Sequence, residues 1–383
     1  MHTFGLKTQI LSGEGSLEYI ETLNVNSVCI VTDMTMIKIG ALARIAKVLD
    51  KAAIKYRIFD SVEADPSLDT VRKGLNHIIE NKPDALIALG GGSVIDAAKA
   101  IMFFCIKTKE ELVHKSEIHK PLFIAIPTTS GTGSEVTSFS VITDYSTSTK
   151  IPLTDPLMLP DIAILDAGFT LSVPPFVTAD TGMDVITHAL EAYVSNSAGS
   201  FSDVYAEKAL DLAFKNLITA YENGSDVKAR QNMHDASCMA GIAFTNAGLG
   251  INHSLAHAIG GRFKISHGRA NAILMPHIIS FNSGLLDETT EIYGAKYDQI
   301  AKKLGLNLAT RKERVIAFIE LIKKLNEVMG IQSSFRAYGI NENDFIKVIS
   351  EMADSALGDI CTGSNPKKAT KFDLEKILKL AFK

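Results

Sequence analysis

The sequence predicts an α/β amino-terminal domain built on a parallel β-sheet, followed by an all-helical carboxy-terminal domain. The chain has 383 residues, which favours two domains because single hydrophobic cores seldom grow so large. Short runs rich in valine and isoleucine alternate with helical spacing in the first half, whereas helical spacing dominates the second half. We place the boundary near residue 177, which gives domains 1–177 and 178–383.

The first half alternates predicted strands and helices. The segment 27–33 is predicted to be a buried strand, because it is crowded with valine and isoleucine and ends at a polar turn. Further strands are predicted at 56–60, 85–90 and 121–127, and helices at 39–54, 70–82 and 94–104. This order of strand, helix and strand predicts a parallel sheet covered by helices on both faces.

The pattern of the sequence changes around residues 166–180. Pro174 and Pro175 are expected to interrupt regular structure there. Downstream, apolar residues recur at three- and four-residue spacing, which predicts helices that include 183–195, 202–222 and 314–329. We therefore expect the second domain to be helical.

The composition argues against several classes of protein. A formal net charge of −4 offers no basic surface for a nucleic acid, and no apolar run reaches the roughly 18 residues that span a bilayer. The four cysteines are far apart and are expected to be reduced thiols. The first residues lack the pattern of a signal peptide. We expect a cytoplasmic enzyme without a nucleic-acid or membrane partner, and residence in a bacterial microcompartment stays open.

Two glycine-rich turns follow predicted strands of the first half. The first turn consists of Gly90, Gly91, Gly92 and Ser93. Residues without side chains let backbone N–H groups approach phosphate oxygens, and the N-terminus of the following helix adds partial positive charge. Its spacing departs from the G-x-G-x-x-G pattern, and the alternative is that it is only a tight connection. The second turn, at 127–135, contains Thr128, Thr129, Ser130, Gly131 and Gly133. Because both turns follow parallel strands, they predict a Rossmann-like dinucleotide site.

Asp33 ends the first predicted strand and is a candidate for binding the adenosine ribose of NAD. Its carboxylate would also repel the 2′-phosphate of NADP. In the usual order the acid follows the glycine turn, whereas Asp33 precedes Gly90 by 57 residues. Either the sheet has a different topology, or Asp33 simply caps the helix that follows it.

Three of the chain's ten histidines lie within fifteen residues: His253, His257 and His267. His253 and His257 are one turn apart on a predicted helix and share a face. His267 follows in a segment predicted to be a loop, because a glycine comes directly after it and the apolar run ends there. Two imidazoles on one helix and a third from a loop suit a metal ion, provided that a fourth ligand exists elsewhere.

The fourth ligand is predicted at the start of the second half. Asp184 and His188 are four residues apart and share a helical face bordered by apolar residues. A partly buried carboxylate and imidazole need a partner, and a metal ion supplies one. The alternatives are that Asp184 belongs to a capping box with Thr181 and that His188 faces solvent.

Four segments resemble the signatures of the iron-dependent (group III) alcohol dehydrogenase family, and within it the propanol and ethanol dehydrogenases. They are GGGSVIDAAKA at 90–100, IPTTSGTGSEVT at 126–137, DTGMDVITHALEAYVS at 180–195 and HSLAHAIGG at 253–261. The resemblance extends over essentially the whole chain and implies a dehydroquinate synthase-like fold. It also implies an NAD-dependent enzyme, holding Fe²⁺ or alternatively Zn²⁺, that interconverts short-chain primary alcohols and aldehydes. A homodimer is expected.

The same resemblance implies roles for individual residues. It places the metal ion on Asp184, His188, His253 and His267, and it places His257 beside the nicotinamide and the substrate. His257 is then the candidate catalytic residue that relays a proton, because it lies one turn from a ligand and is not needed for coordination. The implied cofactor-binding residues are Asp33, Gly91, Gly92, Ser93, Asp96, Thr128 and Thr129, and the implied substrate-pocket residues are Phe139 and Phe244. Lys367 departs from the family, which commonly has arginine after Asn-Pro.

Three other functions stay open at this point. One is a diol oxidoreductase acting on lactaldehyde or 1,3-propanediol. Another is a metal-dependent lyase or synthase of the same fold that keeps NAD bound. The third is a helical interaction protein whose histidines only fill a core.

Overall fold

The structure is a computed structural model that describes residues 3–112, 120–146, 149–286 and 295–383. The chain divides into two compact units. The sheet unit comprises Leu6–Val173 and Ser225–Gly241, and the helical unit comprises Met1–Gly5, Pro174–Gly224 and Ile242–Lys383. These units are defined by compactness alone, so the domain ranges 1–177 and 178–383 stay a prediction.

The described strands all belong to the sheet unit. They are β1 (Gln9–Ser12), β2 (Ser27–Val31), β3 (Lys55–Phe59), β4 (Ala85–Gly90), β5 (Leu122–Pro127), β6 (Phe139–Asp144), β7 (Thr149–Thr154) and β8 (Ile162–Leu165). Six of them form one parallel sheet in the order β1-β8-β5-β4-β2-β3, and β6 pairs with β7 in an antiparallel hairpin. The chain order reverses between β2 and β4, because β3 lies beyond β2 whereas β5 and β8 lie beyond β4. Nucleotides bind outside the carboxyl ends of the strands at such a switch point.

Four helices connect the first strands: α1 (Met34–Lys38), α2 (Ala41–Lys51), α3 (Leu68–Asn81) and α4 (Gly92–Leu112). The central strand β4 is buried on both faces. Leu86 and Ala88 belong to one hydrophobic core, whereas Ala85, Ile87 and Leu89 belong to another. Successive side chains point to opposite faces of a strand, so β4 supplies both cores. The predicted parallel sheet with two covered faces is confirmed.

The helical unit contains α5 (Pro175–Val194), α6 (Ser200–Glu222), α8 (Ile251–Phe263), α9 (His267–Asn282), α10 (Ala295–Lys303), α11 (Arg311–Val328), α12 (Phe335–Tyr338), α13 (Glu342–Gly358) and α14 (Lys371–Phe382). Helix α7 (Val227–Ala247) contributes to both units. In α5 every residue from Thr178 to Val194 except Thr181 is buried. A helix that is buried all round forms the centre of a core. α6 and α9 pack against α5, and α8 packs against α9 and α13.

The predicted helices at 183–195, 202–222 and 314–329 match α5, α6 and α11. The expectation that both prolines interrupt regular structure is wrong for Pro175, which is the first residue of α5. Proline is tolerated at that position because its missing N–H has no partner there, and its fixed φ suits a helix. Among the described residues, no helix has the length and apolar character needed to cross a membrane.

Candidate metal centre and cofactor turns

Four side chains of the helical unit converge to form the candidate metal centre. Asp184 and His188 come from α5, His253 from α8 and His267 from α9, and one ligand atom from each lies within 4.8 Å of the others. The Asp184 carboxylate is 3.6 Å from Nε2 of His267, 3.8 Å from Nε2 of His253 and 3.9 Å from Nδ1 of His188. The structure therefore brings together the four residues that the sequence predicted.

Both alternatives for the α5 pair are wrong. The helix begins at Pro175, so Thr181 lies inside it and donates its hydroxyl to the carbonyl of Val177 rather than capping an end. His188 is 5% exposed and Asp184 is 4% exposed, so neither faces solvent. The four-residue spacing places both side chains on one face of a helix that the core surrounds.

His267 corrects a prediction, because it is the first residue of α9 rather than part of a loop. Its position depends on a close approach of α9 to α5 at Gly268. A Cβ atom at Gly268 would lie 2.0 Å from the carbonyl oxygen of Asp180, which is backbone of α5 and is fixed in place. The Asp180 carboxylate also accepts hydrogen bonds from the Ser266 hydroxyl (2.5 Å) and from Nε of Arg269 (2.8 Å). One turn before Asp184, α5 thus holds the start of the helix that carries His267.

Glu191 is a functional candidate that the sequence reasoning missed. Its buried carboxylate is 2.5 Å from Nδ1 of His253 and accepts the backbone N–H of Asn252 at 2.7 Å. Burial raises the pKa of Glu191, and burial lowers the pKa of His253 far below its usual range. With the ring proton on Nδ1, Nε2 of a neutral His253 presents its lone pair to Asp184, as in metal-binding histidines. Glu191 continues the spacing of Asp184 and His188 by a further three residues, and that signal was available in the sequence.

Asn271, one turn after His267 on α9, is a second residue that the sequence did not single out. Its Nδ2 donates to Oδ1 of Asp184 at 2.8 Å and lies 3.1 Å from Nε2 of His267. The side chain of Asn252 holds this amide in place through a 2.8 Å hydrogen bond to Oδ1 of Asn271. The side chain of Asn271 therefore supports the carboxylate from one side of the ligand set.

The donor set fits the metal that the resemblance implies. Three imidazoles and one carboxylate are borderline ligands suited to Fe²⁺ or Zn²⁺. The neutral, Nε2-presenting form of His253 is the form that coordinates a metal. The four lone-pair donors converge and carry a single negative charge among them. A bound cation therefore stabilises them better than contacts among themselves do.

His257 lies one turn from His253 and has a different environment. Its side chain is 43% exposed, and its ring stacks on that of His267 with centroids 5.1 Å apart. Nδ1 of His257 is 2.8 Å from Oδ2 of Asp359, which follows α13. Burial opposes ionisation of Asp359, but the hydrogen bond and charge of His257 lower its pKa to about 2. Asp359 therefore fixes the ring of an accessible histidine beside the metal centre.

The sheet unit places the two glycine-rich turns side by side. Gly90 ends β4 and α4 begins at Gly92, while Thr128 directly follows β5. A Cβ atom at Gly92 would lie 2.8 Å from the Thr132 side chain, and one at Gly91 would lie 3.4 Å from Thr129. Gly92 is thus required for close packing of the two turns, whereas a Cβ at Gly91 would make an ordinary contact. Neither observation conflicts with binding a phosphate.

The topology explains why Asp33 precedes the glycine turn in the chain. Asp33 follows β2, and β2 is the neighbour of β4 in the sheet, with Val31 opposite Ala88. Asp33 and the first glycine turn therefore flank the switch point from adjacent strands. Asp33 also caps α1, because its side chain accepts the N–H groups of Thr35 (2.6 Å) and Met36 (3.1 Å). The sheet thus has a different topology from the usual order, and Asp33 also caps the helix that follows it. The two alternatives are compatible.

Asp96 faces the protein rather than an open turn. Its carboxylate accepts the Ser134 hydroxyl (2.8 Å) and the backbone N–H of Val141 (3.1 Å). Three residues later on α4, buried Lys99 donates to Ser134, to Thr137 and to the carbonyl of Phe139, at 2.7 to 2.8 Å. Burial lowers the pKa of Lys99 to about 8. Asp96 and Lys99 therefore anchor the second glycine turn to α4. The sequence analysis did not indicate this role for Lys99.

The two predicted pocket residues belong to different compact units. Phe139 begins β6 and is 37% exposed. Phe244 lies on α7 and stacks on His188, with ring centroids 4.6 Å apart and planes 27° from parallel. Phe244 thus contacts a candidate metal ligand, and the role of Phe139 stays a prediction.

Together, a parallel sheet with glycine-rich turns at its switch point and a helical unit with a four-residue ligand set define a metal-dependent, nucleotide-binding enzyme. Residues 7–167 match the family model for iron-containing alcohol dehydrogenase, and residues 178–382 match the model for the C-terminal region of the Fe-containing alcohol dehydrogenase family. The chain belongs to the iron-containing alcohol dehydrogenase family and is an oxidoreductase that interconverts alcohols and aldehydes.

Relatives of known identity agree with this assignment. The chain is 41% identical to the NADPH-dependent butanol dehydrogenase of Clostridium saccharobutylicum, covering 100% of this chain and 98% of that protein. It is 39% identical to the 1-propanol dehydrogenase PduQ of Salmonella typhimurium, covering 99% of each. Similar solved structures include 1,3-propanediol oxidoreductase (TM-score 0.89, 32% identity, 100% of each chain). Another is the sulfoacetaldehyde reductase of Bifidobacterium kashiwanohense in complex with NAD⁺ (TM-score 0.86, 26% identity, 100% of this chain and 98% of that chain).

Proposed function

We propose that this protein is an NAD-dependent dehydrogenase of short-chain primary alcohols, such as propanol and butanol. The observation that carries the proposal is the convergence of Asp184, His188, His253 and His267 within 4.8 Å. In this proposal these four residues hold Fe²⁺, or Zn²⁺ in its place. When bound, the ion supplies a Lewis acid for the substrate oxygen, and the nicotinamide exchanges the hydride.

The residues of the chain orient the reactants and move the proton. His257 is the proposed proton relay, because it is 43% exposed, stacks on His267 and is not one of the four ligands. Asp359 accepts a hydrogen bond at Nδ1 of His257 and so holds the ring with Nε2 available for proton exchange. Glu191 acts on His253 in the same way and fixes the ligand lone pair.

The cofactor is proposed to bind at the switch point of the sheet. Gly91, Gly92 and Ser93 offer backbone N–H groups at the N-terminus of α4, and Thr128 and Thr129 offer hydroxyls from the neighbouring turn. Asp96 is proposed to support this site through its hold on the second turn.

NAD is the proposed cofactor because Asp33 flanks this site, although the butanol dehydrogenase relative uses NADPH. Replacing Asp33 with asparagine should therefore raise relative use of NADP by about 10- to 100-fold, because it relieves part of the repulsion between a like charge and the 2′-phosphate. Asparagine retains the cap of α1, so the fold is preserved. The measurement is kcat/KM for NAD and NADP in both proteins.

Asp33→Gly is the matched comparison, because it removes both the charge and the side-chain cap. A similar shift in cofactor preference in both variants would assign the effect to charge. Equal use of NAD and NADP by the unmodified enzyme contradicts the proposed role of Asp33.

The metal assignment is tested by replacing His267 with alanine. The variant should lose iron and turnover, while NAD binding measured by fluorescence titration stays close to that of the wild type. Iron content is measured by elemental analysis beside the rate of NADH oxidation with propanal. Unchanged iron and unchanged rate in the variant would refute the assignment.

The substrate class is tested with four aldehydes: propanal, butanal, lactaldehyde and 3-hydroxypropanal. If Phe139 and Phe244 line the pocket, a second hydroxyl is buried without a partner, which costs roughly 1–3 kcal/mol or about 10- to 100-fold in kcat/KM. Propanal and butanal should then be preferred. Preference for the hydroxyaldehydes would instead favour a diol oxidoreductase, the second candidate, which the likeness to 1,3-propanediol oxidoreductase supports.

The remaining proposals concern organisation in the cell. A cytoplasmic location is supported by four cysteines that form no disulfide with one another, and fractionation of the native host would test it. Two domains, 1–177 and 178–383, and a homodimer are proposed from the sequence and its resemblance. Light scattering on the purified protein would measure the oligomeric state.

A further inference from the structure

A second group of metal-binding side chains lies beside the candidate metal centre. His257, Asp359 and Cys361 each present a ligand atom within 4.8 Å of the other two. His257 belongs to α8, Asp359 follows α13, and Cys361 lies in the short 3₁₀ helix Ile360–Ser364. All three belong to the helical unit.

The fold holds this group together through Asp359. One carboxylate oxygen is 2.8 Å from Nδ1 of His257, and the other accepts the backbone N–H of Cys361 at 2.8 Å. The hydroxyl of Ser254 adds a third contact at 3.3 Å. The imidazole of His257 and the backbone of Cys361 are therefore held by one shared carboxylate.

The group is partly open to solvent, whereas three of the four ligands of the first centre are buried. The side chain of His257 is 43% exposed and that of Asp359 is 20% exposed. Cys361 is partly exposed, whereas the other three cysteines of the chain are buried. An ion in solution can thus reach this group without any unfolding of the helices.

The donor atoms differ from those of the first centre in one decisive respect. Asp184, His188, His253 and His267 offer nitrogen and oxygen only, whereas Cys361 adds sulfur. Thiolate ligands select Zn²⁺ and other thiophilic ions over Fe²⁺, and three protein ligands leave a fourth position for water. The two groups are therefore suited to different metals.

We propose that His257, Asp359 and Cys361 form a second cation site, specific for Zn²⁺ or another thiophilic divalent ion, whose occupation inhibits the enzyme. Binding forms a metal–sulfur bond and releases the thiol proton to solvent. The ion also coordinates a ring nitrogen of His257. It thereby occupies a lone pair that His257 needs for proton transfer. The inhibition rests on the proposed function of His257, whereas the binding does not.

The binding is tested without turnover, on the iron-loaded protein. Cd²⁺ is added as a spectroscopic probe, and the ultraviolet absorption of a cadmium–thiolate bond is recorded. Burial and the charge of Asp359 raise the pKa of the Cys361 thiol, so the chromogenic thiol reagent is used in excess. Because Cys361 is the only partly exposed cysteine, one thiol per chain should react, and Zn²⁺ should protect it. Cys361→Ser should lose both signals. Absence of the cadmium–thiolate band, or an unprotected thiol at saturating Zn²⁺, overturns the site.

The inhibition is tested by titrating Zn²⁺ into NADH-dependent reduction of propanal while iron content is followed. In Cys361→Ser the half-inhibiting Zn²⁺ concentration should rise at least about 10-fold, because losing a ligand costs no less than losing a residue that only orients one. Ile360→Ser is the matched control, because Ile360 is 85% exposed beside the site and holds no ligand atom. Equal zinc sensitivity in Cys361→Ser, or iron loss that parallels inhibition, overturns the inhibitory role. If cadmium binds at Cys361 but zinc does not inhibit the enzyme, the inhibitory role is also overturned. That result would contradict the proposed role of His257 as well.

Discussion

Replacing Gly268 with alanine is expected to abolish iron retention and to lower kcat/KM by about 100-fold or more, the size of effect that follows from a displacement of about 1 Å in an active site. The added Cβ would meet the carbonyl oxygen of Asp180 at 2.0 Å and its carbonyl carbon at 2.6 Å. Both atoms are backbone of buried α5 and have no room to yield. The start of α9 must therefore move away, and His267, the residue before Gly268, moves with it.

Gly261→Ala provides the matched control for this substitution. Gly261 lies in α8 and is exposed, and a Cβ there meets nothing within 4 Å. Alanine is favoured over glycine in a helix by about 1 kcal/mol, so this variant should be at least as stable as the wild type. Iron content, kcat/KM and thermal midpoint are measured for both. Normal iron content in Gly268→Ala would show that the contact between α5 and α9 does not position His267.

Replacing Glu191 with alanine is expected to weaken iron binding by about 10- to 100-fold, as for other carboxylates that orient a metal-binding histidine. The same change leaves Nδ1 of His253 and the N–H of Asn252 buried without their acceptor. Each lost partner costs roughly 1–3 kcal/mol, so the iron-free protein should also melt at a lower temperature. Competition with a chelator measures the iron dissociation constant, and calorimetry measures Tm.

Glu191→Gln separates these two effects. Glutamine retains the volume and one acceptor oxygen, so the loss of stability should be smaller than in Glu191→Ala, while the ring of His253 is still less firmly oriented. Glu222→Gln, at an exposed position at the end of α6, is the control for a loss of charge alone. If Glu191→Gln binds iron as tightly as the wild type, the carboxylate is structural and does not tune His253.

Pairs of candidate ligands could be predicted because their spacing is local. Asp184 and His188 are one helical turn apart, as are His253 and His257, and such pairs are visible without knowledge of the tertiary fold. Spacing did not separate the ligands from His257; the resemblance to the family assigned His267 to the metal and His257 to the nicotinamide. Glu191 was equally visible on the face of α5, but a glutamate beside apolar residues has no distinctive meaning until His253 is known to face it. Asn271 has no sequence signal at all, because asparagine is common at helix surfaces and ends.

The long, strongly apolar strands of the sheet were likewise predictable, whereas the short strands β1 and β8 were not. β2, β4 and β5 are continuous apolar runs because helices cover both faces. β1 and β8 have only four residues each, which is too short for a periodic pattern. The order of the strands, which explains the position of Asp33, depends on contacts between segments far apart in sequence and could not be predicted from any one segment.

The position of His267 at the very start of α9 has a consequence for metal exchange. Asp184, His188 and His253 have nearly inaccessible side chains, whereas that of His267 is 37% exposed. Asp180 holds the backbone at the start of α9 through Ser266 and Arg269, so the side chain of His267 is the part of the ligand set that an exchanging ion reaches. The residence time of the ion is therefore governed by release of this one imidazole. Chelators should extract iron at a rate that follows rotation of the His267 side chain, without unfolding of α9 or of the rest of the protein.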